Sequence, residues 1–428
     1  MKGADSDRTE SGFRVRTRVA EAQSILREAL EARDIRCADE RIPLERADGH
    51  VLAESVTAAV DVPHYERAAM DGYAVRAADT FGATERSPAV LQGEAEPDHD
   101  STLQPDSARR VHTGSAMPPE ADAVVMIERV EELAGTQEVE ILEGVAEGEN
   151  VAPVGEDVEA DQHLYEPGHR LRPSDLGLLR SVGTRQPLVA TRPTVGVVPT
   201  GEEVVQSDPG PGEVIETNGL TVSRLVERWG GRATHREVVT DAPESLRVAI
   251  QRDLTKDVVV TTGGSSVGER DLLPEVIDDL GEVLVHGVAL KPGHPVCLGI
   301  VEGTPVLALP GYPVACIINA VQFVRPVLAW LEGTEPSPQP SVEATLERKI
   351  PSEPGTRTFA RVSLEASGDS TADAAAPSEV GDWVATPTRA SGSGVLSSVA
   401  LADGWVVVPE SREGIPARES VTVELWDA

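Results

Sequence analysis

Between residues 194 and 331, short β-type runs alternate with helical stretches, and this alternation limits the fold more than any other feature of the chain. Val195–Pro199 and Val258–Thr262 are apolar throughout or nearly so, and too short for helices. Val222, Leu225, Val226 and Trp229 share one face of a helix predicted from about Asn218 to Trp229, which Gly230-Gly231 stops. Glu244–Asp253 reads as another helix, and Leu272, Leu273, Val276, Ile277 and Leu280 mark a third. Strands are expected at Arg236–Thr240, Val283–His286 and Pro305–Leu309, before a long helix over Val314–Leu331. Such an order implies a doubly wound α/β domain: a parallel sheet with both faces covered and ligands bound at the carboxyl ends of its strands.

The flanks read differently. A helix is expected over Arg18–Leu30, with Val19, Ala22, Leu26, Ala29 and Leu30 on one face. Residues 63–144 are rich in Val, Gly and Pro without helical period, as in a small all-β unit, with a strand in Ala121–Glu128. Turn signals at Pro167-Gly168 precede a short helix, Ser174–Ser181, for which Ser174 is the expected N-cap. A Pro-rich linker at 334–340 leads into Ser341–Ala428, whose alternation suggests a small β-barrel or sandwich, with Glu365–Glu379 as a solvated acidic loop.

At 428 residues the chain needs two to four folding units, and with 3% aromatics their cores must rest on Val, Leu, Ile and Ala. The formal net charge of -34 repels phosphate backbones and anionic membranes, which argues against nucleic-acid and lipid partners. Adaptation to a salty cytosol, a halophilic-type acidic proteome, accounts for it best. Lysine occurs only at Lys2, Lys256, Lys291 and Lys349, so each one is informative wherever an anion must be held. Cys37, Cys297 and Cys316 are widely separated and show no CxxC, which fits a reducing compartment. No His pair has metal-ligand spacing, the first ten residues lack an apolar core, and no run of about 18 apolar residues occurs. A soluble, cytoplasmic protein is expected.

Several motifs fall where the α/β pattern places strand ends. Gly263-Gly264-Ser265-Ser266-Val267-Gly268 follows an apolar strand; its amides could cradle an oxyanion, or it could be an ordinary tight turn. Glu203, Asp241 and Asp271 each follow a strand or glycine loop and could together hold Mg²⁺, although single acids in a chain with 72 of them usually serve the surface. Lys291, in LKPGHP, could neutralise phosphate or be a solvated turn residue. Pro310-Gly311-Tyr312-Pro313 opens a helix and could present its N-terminus to an anion, or serve only as a rigid connection. AMDGYAVR sets Asp71 beside a glycine, and VHTG does the same for Thr113.

In order, AMDGYAVR, VHTGSAMP, GEDV, TGEE, TNG, TTGGSSVGERD, LKPGHP, LPGYPV and SGSGVLSS resemble the molybdopterin molybdenumtransferase family, which includes MoeA and the E-domain of gephyrin, over about residues 14–426. The resemblance implies a homodimer of four-part subunits. Residues 14–62 and 145–190 would form a connecting domain, with the first helix free to pack on the α/β domain. The others would be a β-rich domain at 63–144, a molybdopterin-binding α/β domain at 191–333 and a C-terminal β-barrel at 338–428. It implies a transferase in molybdenum-cofactor biosynthesis that takes adenylylated molybdopterin and molybdate, releases AMP with Mg²⁺ assistance, and leaves molybdenum on the dithiolene sulfurs. The site would lie between the α/β domain of one subunit and the β-rich domain of the other.

By the same resemblance, Asp241 and Asp271, with Glu203, would position the metal, while Gly263, Gly264, Ser265, Ser266 and Lys291 hold phosphates. Asp71, Thr113 and Asp157 would line the cleft from the β-rich side. Pro310, Gly311 and Pro313 match the family's PGxP turn, and Arg361 with Ser397 or Ser398 would suit an oxyanion. The chain departs from the pattern at Gly287 and His294, where relatives carry lysines, and at Tyr312, where they carry Asn. A molybdopterin-adenylylating enzyme and molybdoenzyme acceptors would be its natural partners. Two other readings compete: a molybdopterin adenylyltransferase, and a non-catalytic scaffold or tungstate-specific paralogue.

Overall fold

The computed structural model describes residues 16–94, 101–263, 272–366, 383–388 and 392–426. The chain divides into two compact units, one of Arg41–Asp48 with Glu54–Leu188, the other of Met1–Glu40, Gly49–Ala53 and Val189–Ala428.

The first unit is built on a six-stranded sheet in the order Ala123–Met126, Gly72–Val75, Ser107–Val111, Ala89–Gly93, Glu138–Ile141, Val130–Glu132. Alternation along Glu138–Ile141 turns Val139 and Ile141 into a core shared with Tyr73, Val75, Leu91 and Val125. The short helix starts at Pro173, and its N-cap is Arg172 rather than Ser174. Proline suits the first helical position because its missing N–H would have no partner there. The Asp175 carboxylate accepts the Arg172 amide at 2.9 Å and so does the capping from inside the helix.

The second unit carries the α/β layer. Its sheet runs Arg232–His235, Thr194–Pro199, Val258–Thr262, Thr304–Leu309, Cys297–Val301, Glu282–His286. The first four strands pair in parallel, and the last two pairings, on either side of Cys297–Val301, are antiparallel. The edge strand is Arg232–His235 rather than 236–240: the Arg236 amide still donates to the Val197 carbonyl at 2.9 Å while its side chain pairs with the fully buried Asp253, and beyond it only Val239 returns to the sheet, as a bridge to Thr200. Cys297–Val301, which apolar patterning alone merges with the next run, is split from Thr304–Leu309 by a two-residue turn in which Glu302 (φ 50°) and Gly303 (φ 86°) are both left-handed. Helices cover both faces. Val195, Val197, Val258 and Val260 point into one core with Val19, Leu26, Val222 and Phe323, while Val259, Val306 and Ala308 meet Leu246, Ile250 and Ile277 on the other side.

Pro313–Leu331 is the one described helix long and apolar enough to cross a membrane, and 83% of it is buried within the protein, as a core helix. Its middle, Ala320–Val324, is a π turn. Beyond it, Ser341–Leu346, Trp383–Pro387, Arg357–Ala366, Gly404–Val408 and Ser420–Leu425 pair in a closed ring, a five-stranded barrel. Phe359 and Trp405 of the barrel belong to the same apolar cluster as Val260 and Phe323.

Candidate functional site

The strand order places the topological switch between Thr194–Pro199 and Val258–Thr262, where the chain leaves the first strand toward opposite edges. Their register, continued by Thr304–Leu309, brings Thr200, Gly263 and Pro310 to one carboxyl edge. Gly263 has φ 121°, and a Cβ there would stand 2.2 Å from the Thr200 carbonyl, so only glycine fits. Asn218 donates to the Gly311 carbonyl at 2.7 Å and ties the start of a helix to the PGxP turn. The hydroxyls of Thr200, Thr261 and Thr262 are buried at this edge without a partner among the described residues, a pattern expected where a ligand or water completes the bonding.

A cavity of about 660 Å³ opens beside the edge, lined by Pro310 and Tyr312 together with Lys291, His294, Lys349 and Arg361. Three basic side chains therefore border one cavity, two of them drawn from four lysines in the chain, and no Asp or Glu is among its described lining residues. Lys291 is held by parallel pairing of Leu290–Lys291 with Arg357–Thr358, which ties the KPG segment to the barrel. Arg361 is buried in the barrel strand; burial pulls its pKa below the ordinary guanidinium value, yet arginine stays charged. Burial, and then the charge of Arg16, lowers the His294 pKa, so this imidazole is neutral at pH 7. Lys291 forms an ion pair with Glu353 at 2.8 Å.

The remaining predicted residues are placed as follows. Gly264, Ser265, Ser266 and Asp271 lie outside the described residues. Glu203 and Asp241 flank one corner of the sheet edge, because a parallel bridge joins Thr200 to Val239 and Gly201 donates to the Val239 carbonyl. Among the described residues no three His, Cys, Asp or Glu side chains gather as a metal site. Pro313 is the first residue of its helix. Ser398 is buried and donates to the Val395 carbonyl at 2.6 Å, and Ser397 is exposed. The serine of this segment that lines the cavity is Ser393, and Lys349 was equally missed. Its only advance signal was the scarcity of lysine.

In the β-rich unit, Gly72 pairs with Val111, which carries Asp71 to Thr113. Asp71 Oδ1 accepts the Thr113 amide at 2.7 Å and its hydroxyl at 3.0 Å. These bonds, the amide first, hold the Asp71 carboxyl below the usual carboxylate range. Two motifs that are weak separately thus form one polar corner. Asp157 is exposed, its amide donating to the Val62 carbonyl at 2.9 Å.

Chemically, the edge and cavity suit an anionic ligand: fixed cations, turns of close-approaching backbone, and carboxylates kept outside the lining. Three family models match in succession: the MoeA N-terminal region (domain I and II) over residues 17–183, the "Probable molybdopterin binding domain" over 196–330, and the MoeA C-terminal region (domain IV) over 343–426. The molybdopterin molybdenumtransferase 2 of Mycobacterium tuberculosis is 30% identical, covering 96% of this chain and 99% of its own. The molybdopterin molybdenumtransferase of Bacillus subtilis is 30% identical, covering 90% and 89%. A crystal structure of a molybdopterin biosynthesis MoeA protein from Pyrococcus horikosii superposes with a TM-score of 0.79 at 33% identity, over 97% of this chain and 100% of that one. Likeness of this extent, in sequence and in fold, makes the chain a member of the MoeA family of molybdopterin molybdenumtransferases.

Proposed function

We propose that this protein is a molybdopterin molybdenumtransferase, which inserts molybdate into adenylylated molybdopterin and releases AMP. The observation that carries the reading is the cavity bordered by Lys291, Lys349 and Arg361, with no Asp or Glu among its described lining residues, beside the sheet's carboxyl edge. In a chain of net charge -34, a dianion such as molybdate needs such a local reversal of potential to enter at all. Lys291 and Lys349 would draw the oxyanion in, and the buried Arg361 would fix it through its planar fork of donors. The Gly263 turn would approach the pyrophosphate from the sheet edge. Water would attack the phosphoanhydride with AMP as the leaving group, and the two dithiolene thiols would bind the metal by giving up their protons as molybdate sheds one oxygen as water.

Mg²⁺ would be held by Glu203 and Asp241, with Asp271 as the third carboxylate. Hard oxygen donors at one sheet corner fit that ion, and it would supply charge neutralisation at the pyrophosphate. The Asp71–Thr113 corner would complete the site from a second subunit in a homodimer, a state that light scattering of the purified chain would test. An adenylylating enzyme would supply the substrate and molybdoenzymes would accept the product. We assign the reaction to the cytoplasm, in keeping with three buried cysteines that form no disulfide. The acidic surface is then an adaptation to a salty interior.

An adenylyltransferase role is not favoured, since the matched MoeA N-terminal and C-terminal regions flank the domain that resembles the adenylylating enzymes. The deciding experiment is AMP release from adenylylated molybdopterin at high salt, with and without molybdate. Molybdate-dependent release that Arg361→Ala reduces at least tenfold supports the assignment. ATP consumption with free molybdopterin instead would overturn it.

A further inference from the structure

No Asp or Glu is among the cavity's described lining residues, yet one carboxylate reaches a lining cation: Glu353 Oε1 stands 2.8 Å from Lys291 Nζ. Glu353 is not on a loose loop. It lies in the turn before Arg357–Ala366, where the Ser352 amide donates to the Glu413 carbonyl and the Gly355 amide to Glu410. The pairing of Lys291 with Thr358 in that same strand fixes the backbone on the other side of the ion pair. Arg16 is set nearby by a different route. Thr17 bridges Val288 and donates to the Gly287 carbonyl, so the residue before it runs alongside Gly287 at the same segment. Lys291, through its hydrogen bond and charge, and then Arg16, hold the Glu353 carboxyl below its usual range, so it is ionised whenever the site is in use.

We propose that Glu353 is an internal counter-anion, which occupies Lys291 until the oxyanion displaces it and so sets the affinity of the cavity for a tetrahedral dianion. A dianion entering the cavity must either take Lys291 from Glu353 or bind with that cation half neutralised; both weaken it. Arg16 moderates the competition because its charge also attracts the carboxylate. Because both members of the pair are largely exposed, at 56% and 68%, the penalty is modest and sensitive to salt.

This inference rests on the oxyanion reading of the cavity, and one set of titrations separates the two. Molybdate binding to the full chain is measured by calorimetry for the wild type, Glu353→Gln, Lys291→Ala, Arg361→Ala and the double variant Lys291→Ala with Glu353→Gln. Glu353→Gln is expected to tighten binding roughly two- to five-fold at low ionic strength, the gain shrinking as KCl approaches 1 M. In the Lys291→Ala background the gain should largely vanish. If Glu353→Gln binds as the wild type does, or gains equally without Lys291, the counter-anion is refuted while the cavity reading survives on the losses in Lys291→Ala and Arg361→Ala. If those two variants bind molybdate as tightly as the wild type, both ideas fall together.

Discussion

Asp175 is 3% exposed and still ionised, and its surroundings explain how. Burial alone would push its pKa up, but hydrogen bonds from the Arg172 side chain, His169, the Arg172 amide and Tyr165 hold it far below the usual carboxylate range. A carboxyl with a depressed folded pKa stabilises the fold fully above its unfolded value, near 4, and that contribution is lost as pH falls below it. Asp175→Asn should therefore cost about 2–3 kcal/mol at pH 7 by urea unfolding, and the cost should shrink as pH falls below about 5. At the candidate site the same scale decides what the sequence could reveal. Lys291 stood in the LKPGHP motif and Arg361 at a position marked only by the family resemblance, and both border the cavity. Lys349 did not, because it reaches the cavity through strand pairing of Ile350–Pro351 with Gly414–Ile415, a contact between distant parts of the chain. Ser398 looked suited to an oxyanion in the linear motif, but its hydroxyl closes a local turn.

Among elements, the three central parallel strands were legible to within a residue because runs buried on both faces are mostly apolar, as Val258–Thr262 is, whereas the equally buried Cys297–Val301 was not predicted. The edge strand Arg232–His235 was not legible, since it is polar and the apolar signal nearby falls on Val238 and Val239, of which only Val239 reaches the sheet, as a bridge to Thr200. The long helix was read as continuous, yet Pro326 cannot donate to the carbonyl four residues earlier, Gln322. That carbonyl instead accepts the side-chain amide of Gln23 at 2.8 Å, from the helix Val19–Ala32. Gln23→Leu would leave it unsatisfied and should lower stability by about 1–2 kcal/mol, seen as a lower urea midpoint with an unchanged m-value. The glycine turn after Val258–Thr262 makes a second test. Gly263→Ala forces a Cβ against the Thr200 carbonyl at positive φ, so a loss of about 2–4 kcal/mol is expected, far above the roughly 0.5 kcal/mol of an ordinary surface change.

For the molecule as a whole, the net charge of -34 acts in two opposite directions. It repels itself across the surface, and salt relieves that repulsion, because the screening length falls from about 10 Å at 0.1 M to about 3 Å at 1 M. The unfolding temperature should therefore rise by several degrees between 0.1 and 2 M KCl, most steeply below 1 M, where screening changes fastest. An uncharged excluded osmolyte such as sucrose stabilises by a different route, so it should raise the midpoint without removing the further response to KCl. Screening also weakens the attraction of an oxyanion to the exposed Lys291, but less so to Arg361, which is only 6% exposed within the barrel. The KM for molybdate should then increase with KCl by a few-fold and level off, since the buried cation still acts when the exposed one is screened. In Arg361→Ala the levelling should disappear and KM should climb throughout the range. A KM that is flat in salt for both proteins would mean that the cavity's cations do not hold the oxyanion, whatever the stability curve shows.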